Sequence, residues 1–114
     1  MRTTILIFQP HRREPQLVEF AGAPSIREVE VVVGGPFEQI PEFLSIEHGG
    51  ALHRCVAFAP RNRAGRPLNV AATIAWDGAL RREMGFGLIR RDGARADQLA
   101  GSVVVVVRGR AHQR

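Results

Sequence analysis

Five consecutive valines, Val103 to Val107, constrain the fold of this chain more than any other feature. Valine branches at its β-carbon, which suits a pleated strand better than a helix. A strand whose residues are all apolar has both faces covered by other parts of the protein. The run is far shorter than the ~20 apolar residues that span a bilayer. It therefore predicts a central, buried strand over residues 102–108.

The remaining segments alternate between strand and helix patterns. Strands are predicted at residues 3–9, 16–20, 37–48 and 51–59, and helices at 25–33 and 70–84. Ser25 and Glu28 have the spacing of a capping box at the start of the first helix, although the valines near its end favour a strand there. Asn69 caps the second helix, which Gly78 weakens at its middle. Asp92-Gly93 has the composition of a small hairpin turn.

Gly49 and Gly50 predict a tight turn between the third and fourth of these strands, because such a turn needs positive φ angles. Counting outward from that turn places Ile46 opposite His53. Pro41 has no N–H to donate to a neighbouring strand. Its strand is therefore predicted to lie at an edge of the sheet or to contain a bulge.

These elements predict an α+β fold with an approximate βαββαβ order, extra short strands and helices on one face of the sheet. That order is the one found in ferredoxin-like folds, and an α+β sandwich with another strand order is the alternative. We predict one domain over residues 1–108 and a flexible basic tail over residues 109–114.

The charge of the chain is carried by arginine, with 16 Arg, no Lys and 11 acidic residues, for a formal net charge of +5. A basic domain suggests contact with nucleic acid, because phosphate contacts supply most non-specific affinity. The complete absence of Lys also fits a coding bias that replaces Lys by Arg. Charge alone therefore leaves nucleic-acid binding as one alternative.

Catalytic and metal-binding patterns are weak in this sequence. The single cysteine, Cys55, excludes an internal disulfide and a cysteine-based zinc site. Cys55 with His53 two residues away is the candidate for a thiol-dependent enzyme. A buried cysteine is the more common role of such a residue. We expect no cofactor and no metal.

One loop has a composition that favours anion binding. It places Arg61, Asn62, Arg63 and Arg66 just before a helix that begins after Asn69. Helix N-termini present free N–H groups, and guanidinium groups bind carboxylates and phosphates in a bidentate manner. These residues are the predicted site for an anion or an acidic partner. The alternative is a solvated loop in an arginine-biased protein.

Short motifs spread along the chain resemble the bacterial and phage family named "domain of unknown function 3846". The shared residues are Val33, Gly34, Gly35, Glu38, Asn62, Gly65, Pro67, Leu68, Asn69 and Gly101, which precedes the valine strand. The sequence departs from the family pattern at Arg63 and Ala64, where acidic residues are usual. The resemblance implies a small accessory protein of phages and mobile elements, and it implies no catalytic residues.

We therefore expect a non-catalytic accessory protein that binds a macromolecular partner. A protein or a nucleic acid fits this role, and so does self-association through the strand near Pro41 or the segment around Phe86. No secretory signal is visible, which favours a cytoplasmic protein without membrane contact.

Overall fold

A six-stranded antiparallel sheet carries two helices, and the computed structural model describes this fold over residues 2–88 and 97–110. The strands are β1 (Thr3–Phe8), β2 (Gln16–Phe20), β3 (Phe37–Gln39), β4 (Ser45–His48), β5 (Ala51–Pro60) and β6 (Val103–Arg110). The helices are α1 (Ile26–Val33) and α2 (Val70–Met84). The predicted α+β fold class is confirmed.

The valine strand β6 lies in the interior of the sheet, as predicted. The strand order is β2-β1-β6-β5-β3, with β4 also paired to β5. Val103, Val104, Val105 and Val106 are all buried. Every pairing is antiparallel. In a ferredoxin-like fold both helices cover the same face of an antiparallel sheet, whereas here they cover opposite faces, so the likeness to that fold is limited to the order of the elements along the chain.

The two helices pack on opposite faces of the sheet, which corrects the expectation that both lie on one face. Val29 and Val33 of α1 pack with Ile5, Ile7, Val104 and Val106. Ala72, Trp76, Ala79 and Leu80 of α2 pack with Leu6, Phe8, Val103 and Val105. The reason is that β1 and β6 are apolar on both faces. A single helical layer would leave one of those faces in water.

The hairpin between β4 and β5 has the predicted register, with Ile46 opposite His53. The long strand predicted before it is interrupted. Pro41 and Glu42 separate β3 from β4, and Glu42 adopts a φ of 60°. Ile40 donates its N–H to the carbonyl of Ala57 before the interruption. The chain is therefore hydrogen-bonded to β5 both before and after the interruption. The single strand predicted over residues 37–48 is thus two short strands, and since each pairs with β5 alone, the edge position predicted from Pro41 is confirmed.

The helix boundaries follow local capping signals. Ser25 and Glu28 form the predicted capping box. Asn69 is the N-cap of α2, and the helix continues through Gly78 to the left-handed cap at Gly85. Across the described ranges, no helix is long and apolar enough to cross a bilayer.

The C-terminal boundary differs slightly from the prediction. Gly109 and Arg110 belong to β6, where Arg110 pairs with His53, so they are part of the sheet and not of a tail. The predicted turn at Asp92-Gly93 and residues 111–114 lie outside the described residues.

Candidate functional site

Arg66, one of the predicted anion-binding residues, is held by backbone carbonyl groups. Its Nη1 donates to the Val33 carbonyl at 3.0 Å and its Nη2 to the Gly34 carbonyl at 3.2 Å. Its Nε donates to the carbonyl of Asn62 at 2.9 Å. The last carbonyl groups of a helix have no partner within the helix and carry partial negative charge. The guanidinium of Arg66 therefore caps the C-terminus of α1.

The other loop arginines also have internal contacts. Arg63 forms a salt bridge with Asp97 at 2.9 Å and donates to the Gln98 carbonyl at 3.1 Å. Arg61 lies at the surface, where its Nη2 donates to the Phe37 carbonyl at 3.4 Å. An external anion would compete with these groups for the same donors. The anion site remains a prediction, and the contacts seen here are structural.

Asn69 is fully buried and joins three parts of the fold. Its Nδ2 donates to the carbonyl groups of Phe8 and Gly101 at 2.9 and 2.8 Å. Its Oδ1 accepts the N–H of Ala72 at 3.1 Å. The N-terminus of α2 is thus fastened beneath the ends of β1 and β6. The sequence indicated the cap, but the two contacts of the amide nitrogen have no local signal.

Several of the residues quoted for the family resemblance lie around Arg66. Val33 and Gly34 accept its hydrogen bonds, and Gly101 donates its N–H to Pro67 at 2.8 Å. A β-carbon at Gly101, whose φ is +76°, would lie 2.8 Å from Pro60 Cγ and 3.1 Å from Arg66 Cδ. The backbone approach at this position requires glycine. The dispersed motif therefore describes a structural junction, which we call the Arg66 junction.

Cys55 has the environment of a structural thiol. Only 3% of the residue is exposed, and its Sγ donates to the carbonyl of Phe43 at 3.6 Å. Burial raises the pKa of the thiol to about 12, and the opposing effect of the nearby Arg82 is smaller. A thiol with this pKa stays protonated near neutral pH, where a nucleophile must be a thiolate.

His53, two residues from Cys55, lies against His48. His53 Nε2 lies 3.1 Å from the carbonyl oxygen of His48, and the two rings are 6.2 Å apart. Over residues 2–88 and 97–110, no cluster of three His, Cys, Asp or Glu side chains is placed to hold a metal ion.

The two edges of the sheet differ in how they are protected. At one edge, Pro41 and the positive φ of Glu42 break the strand into short pieces. At the other edge, β2 pairs with β1 on one side, and no described residue forms a strand on its outer side. β2 contains neither proline nor a bulge. Its outer N–H and C=O groups are available to another chain.

Apolar side chains lie next to this open edge. Leu17 of β2 is 48% exposed and pairs with Leu6, so it faces the side of the sheet that α2 covers. Leu6 lines a cavity of about 450 Å³ together with Pro15, Ala71 and Ile74. Ile74 is 59% exposed. Because Pro15 directly precedes β2, this partly apolar cavity lies next to the start of the open edge.

Basic side chains flank that apolar surface. A second cleft of about 450 Å³ shares Ala71 and Ile74 with the first, and Arg12 and Arg13 also line it. Both arginines are exposed. The segment containing Arg12 and Arg13 leads directly into β2. We call the outer side of β2, Leu17, Ile74 and these two arginines the β2 edge site.

The β2 edge site was not predicted from the sequence. One signal was available: Val70 and Ile74 are four residues apart on α2, away from the buried Trp76, so they form an apolar stripe on the outer side. The sequence does not show that this stripe lies near an unpaired strand.

Comparison of the sequence with protein-family models and curated proteins, and of the structure with solved structures, gave no match.

Proposed function

We propose that this protein is a small non-catalytic accessory domain that binds a partner protein by pairing β2 with an extended segment of that partner. The observation that carries the proposal is the unprotected β2 edge beside exposed apolar side chains. Main-chain hydrogen bonds to a sheet edge supply affinity in this mode of recognition, and pockets for alternate side chains supply specificity.

The β2 edge site indicates the side chains that the partner segment should carry. Successive residues of an added strand point to opposite faces of the sheet. Residues on the α2 side would contact Leu17 and the cavity beside Ile74. Each apolar side chain removed from water there contributes up to about 1.5–3 kcal/mol. The partner segment is therefore expected to have apolar residues at alternate positions.

The charge at this site favours an acidic partner. Arg12 and Arg13 are exposed beside the apolar surface, and the formal net charge of the protein is +5. Charges at the rim of an interface mainly accelerate association and select among partners. An acidic residue at the end of the segment that contacts Arg12 and Arg13 is thus expected.

A nucleic-acid partner is the alternative, and the arginine contacts give it less support. Arg2, Arg63, Arg81 and Arg82 each form a salt bridge with an acidic side chain. Arg66 is bonded to backbone carbonyl groups. Guanidinium groups with internal partners contribute less to phosphate binding than free ones, because those contacts must first be broken.

The family resemblance supports an accessory role. The motif residues lie far apart in sequence, and several of them meet at the Arg66 junction. We propose on this basis that the protein is related to the "domain of unknown function 3846" family. The setting that follows is a cytoplasmic protein of a phage or mobile element.

The test uses a displayed library of random nine-residue peptides, selected on the purified full chain. Selected peptides are expected to alternate apolar and polar residues and to contain an acidic residue. Their binding should shift the backbone amide resonances of residues 16–20. Leu17→Lys, at a half-exposed position, should weaken binding at least about tenfold. The matched control Ile26→Lys changes a 71% exposed residue on the other face and should leave binding unchanged.

Three results would overturn the proposal. The first is that selected peptides shift amides away from β2, or that the two variants bind them equally. The second is that no peptide is selected while short DNA or RNA binds with an affinity that falls steeply with salt. The third is that a second copy of this protein occupies β2, seen as a concentration-dependent dimer that Leu17→Lys dissociates.

A further inference from the structure

A separate apolar cavity of about 420 Å³ lies between α1 and the sheet, on the face opposite to α2. Its described lining includes Thr3, Val29, Val56, Phe58, Val106 and Arg108. This volume is within the range of small-molecule binding sites. The cavity shares no lining residue with the clefts of the β2 edge site.

The larger part of the cavity wall is hydrocarbon. Phe37 and Phe58 meet edge to face with their ring centroids 5.3 Å apart. Val56 and Val106 contribute the floor from the sheet, and Val29 contributes the wall from α1. Such a surface favours a chain of methylene groups, because hydrocarbon needs no hydrogen-bond partners.

A bulge in β6 places a cation at the cavity. Arg54 pairs with Gly109, whereas Cys55 pairs with Val107, so Arg108 is the extra residue. Bulges of this kind redirect a side chain and are frequent beside functional sites. Arg108 is exposed and lines the cavity.

A second cation lies close to the bulge. Arg54 Nη2 is 3.9 Å from the position that a β-carbon of Gly109 would take. Since Arg54 also pairs with Gly109, its guanidinium lies beside the bulge. Among the described residues that line the cavity, none is acidic. Arg2, which also lines the cavity, is paired with Glu19 at 3.0 Å, whereas Arg108 belongs to none of the salt bridges among the described residues. The cavity thus combines an apolar interior with the positive charge of Arg108.

We propose that this cavity binds a single-chain amphiphile with an anionic head, of which a medium-chain carboxylate is the simplest case. The acyl chain lies between α1 and the sheet, and the carboxylate pairs with Arg108, with Arg54 beside it. A nucleotide fits less well. The uncharged polar side chain among the described lining residues is Thr3, and a buried base would lose hydrogen bonds to water without replacement.

Calorimetric titration of the full chain with decanoate tests this proposal. Binding is expected to strengthen roughly threefold to fourfold for each methylene from hexanoate to decanoate, as burial of hydrocarbon requires. Decanol, which has the same chain without the charge, should bind at least about tenfold more weakly. Arg108→Gln should reduce the affinity for decanoate and leave that for decanol unchanged.

Two further variants separate binding in the cavity from adsorption elsewhere. Ala23→Trp introduces a large side chain at an exposed position of the cavity lining, and Val56→Phe fills the half-buried floor. Both should abolish decanoate binding while the selected peptides still bind at β2. The proposal is overturned if decanoate does not bind at millimolar concentration, if binding survives both variants, or if decanol and decanoate bind equally.

Discussion

The effect of alkaline pH on the stability of this protein can be assigned to one side chain, because the chain contains neither Lys nor Tyr. Histidine titrates below pH 8 and arginine above pH 12. Between pH 9 and 12 the side chain that changes its charge is therefore Cys55. Burial raises its pKa from the ordinary 9.0 to about 12 in the folded protein. The folded state therefore holds the thiol proton in a range where the unfolded chain releases it.

The sign and size of the effect follow from proton linkage. Since the unfolded state binds fewer protons above pH 9, stability falls as the pH rises, by up to about 1.4 kcal/mol per pH unit. With pKa values of 9.0 and about 12, the loss relative to pH 8 is roughly 1 kcal/mol at pH 10 and roughly 3 kcal/mol at pH 11. The stability contribution is complete below pH 9 and is lost as the pH passes through 12.

Urea unfolding at intervals from pH 8 to pH 11 measures this loss, with Cys55→Ala and Cys55→Val as controls. The variants change the stability by a constant amount, from the altered packing, and should show no slope from a thiol. The α-amino group contributes equally to all three proteins. Parallel curves for the three proteins would refute the reasoning, because they would mean that folding does not change the pKa of Cys55.

Three further outcomes are expected. Asn69→Asp places a carboxylate oxygen against the carbonyl groups of Phe8 and Gly101, so urea unfolding should show a loss of about 3–5 kcal/mol, and a loss below about 1 kcal/mol would contradict the geometry. In Arg66→Lys a single nitrogen replaces the three that bond to these carbonyl groups, so the free energy of unfolding should fall by about 1–2 kcal/mol. An unchanged urea midpoint would show that the cap of α1 does not stabilise the protein. Iodoacetamide at neutral pH should label Cys55 in urea but not in buffer, as read by mass spectrometry, and rapid labelling of the folded protein would instead indicate a reactive thiol.

Features encoded within a few neighbouring residues were predictable. The capping box at Ser25 and Glu28 completes its hydrogen bonds within four residues. The register of the hairpin follows by counting from Gly49 and Gly50, and the missing N–H of Pro41 indicated an edge position, although not the break between β3 and β4. Each signal is local, because the atoms that satisfy it lie a fixed number of bonds away.

The predicted anion site shows the limit of such reasoning. Arginines in a loop before a helix suggested an external ligand, yet Arg66 binds carbonyl groups 32 and 33 residues away. The sequence shows how many guanidinium donors a loop contains. It does not show which hydrogen-bond acceptors the folded chain places next to them. The same limit hid the amide contacts of Asn69 and the position of Leu17 beside α2.

The sequence by itself determined the strands, the helices, their caps and the presence of a valine strand covered on both sides. Beyond the hairpin of β4 and β5, only the tertiary structure decided which strands pair, that the helices cover opposite faces, and that β2 is left with an open edge. The physical reason is that the spacing of apolar residues shows which face of a strand or helix is buried. It does not show which other element covers that face. That choice depends on contacts between residues as distant as Phe8 and Val103, which no local pattern encodes.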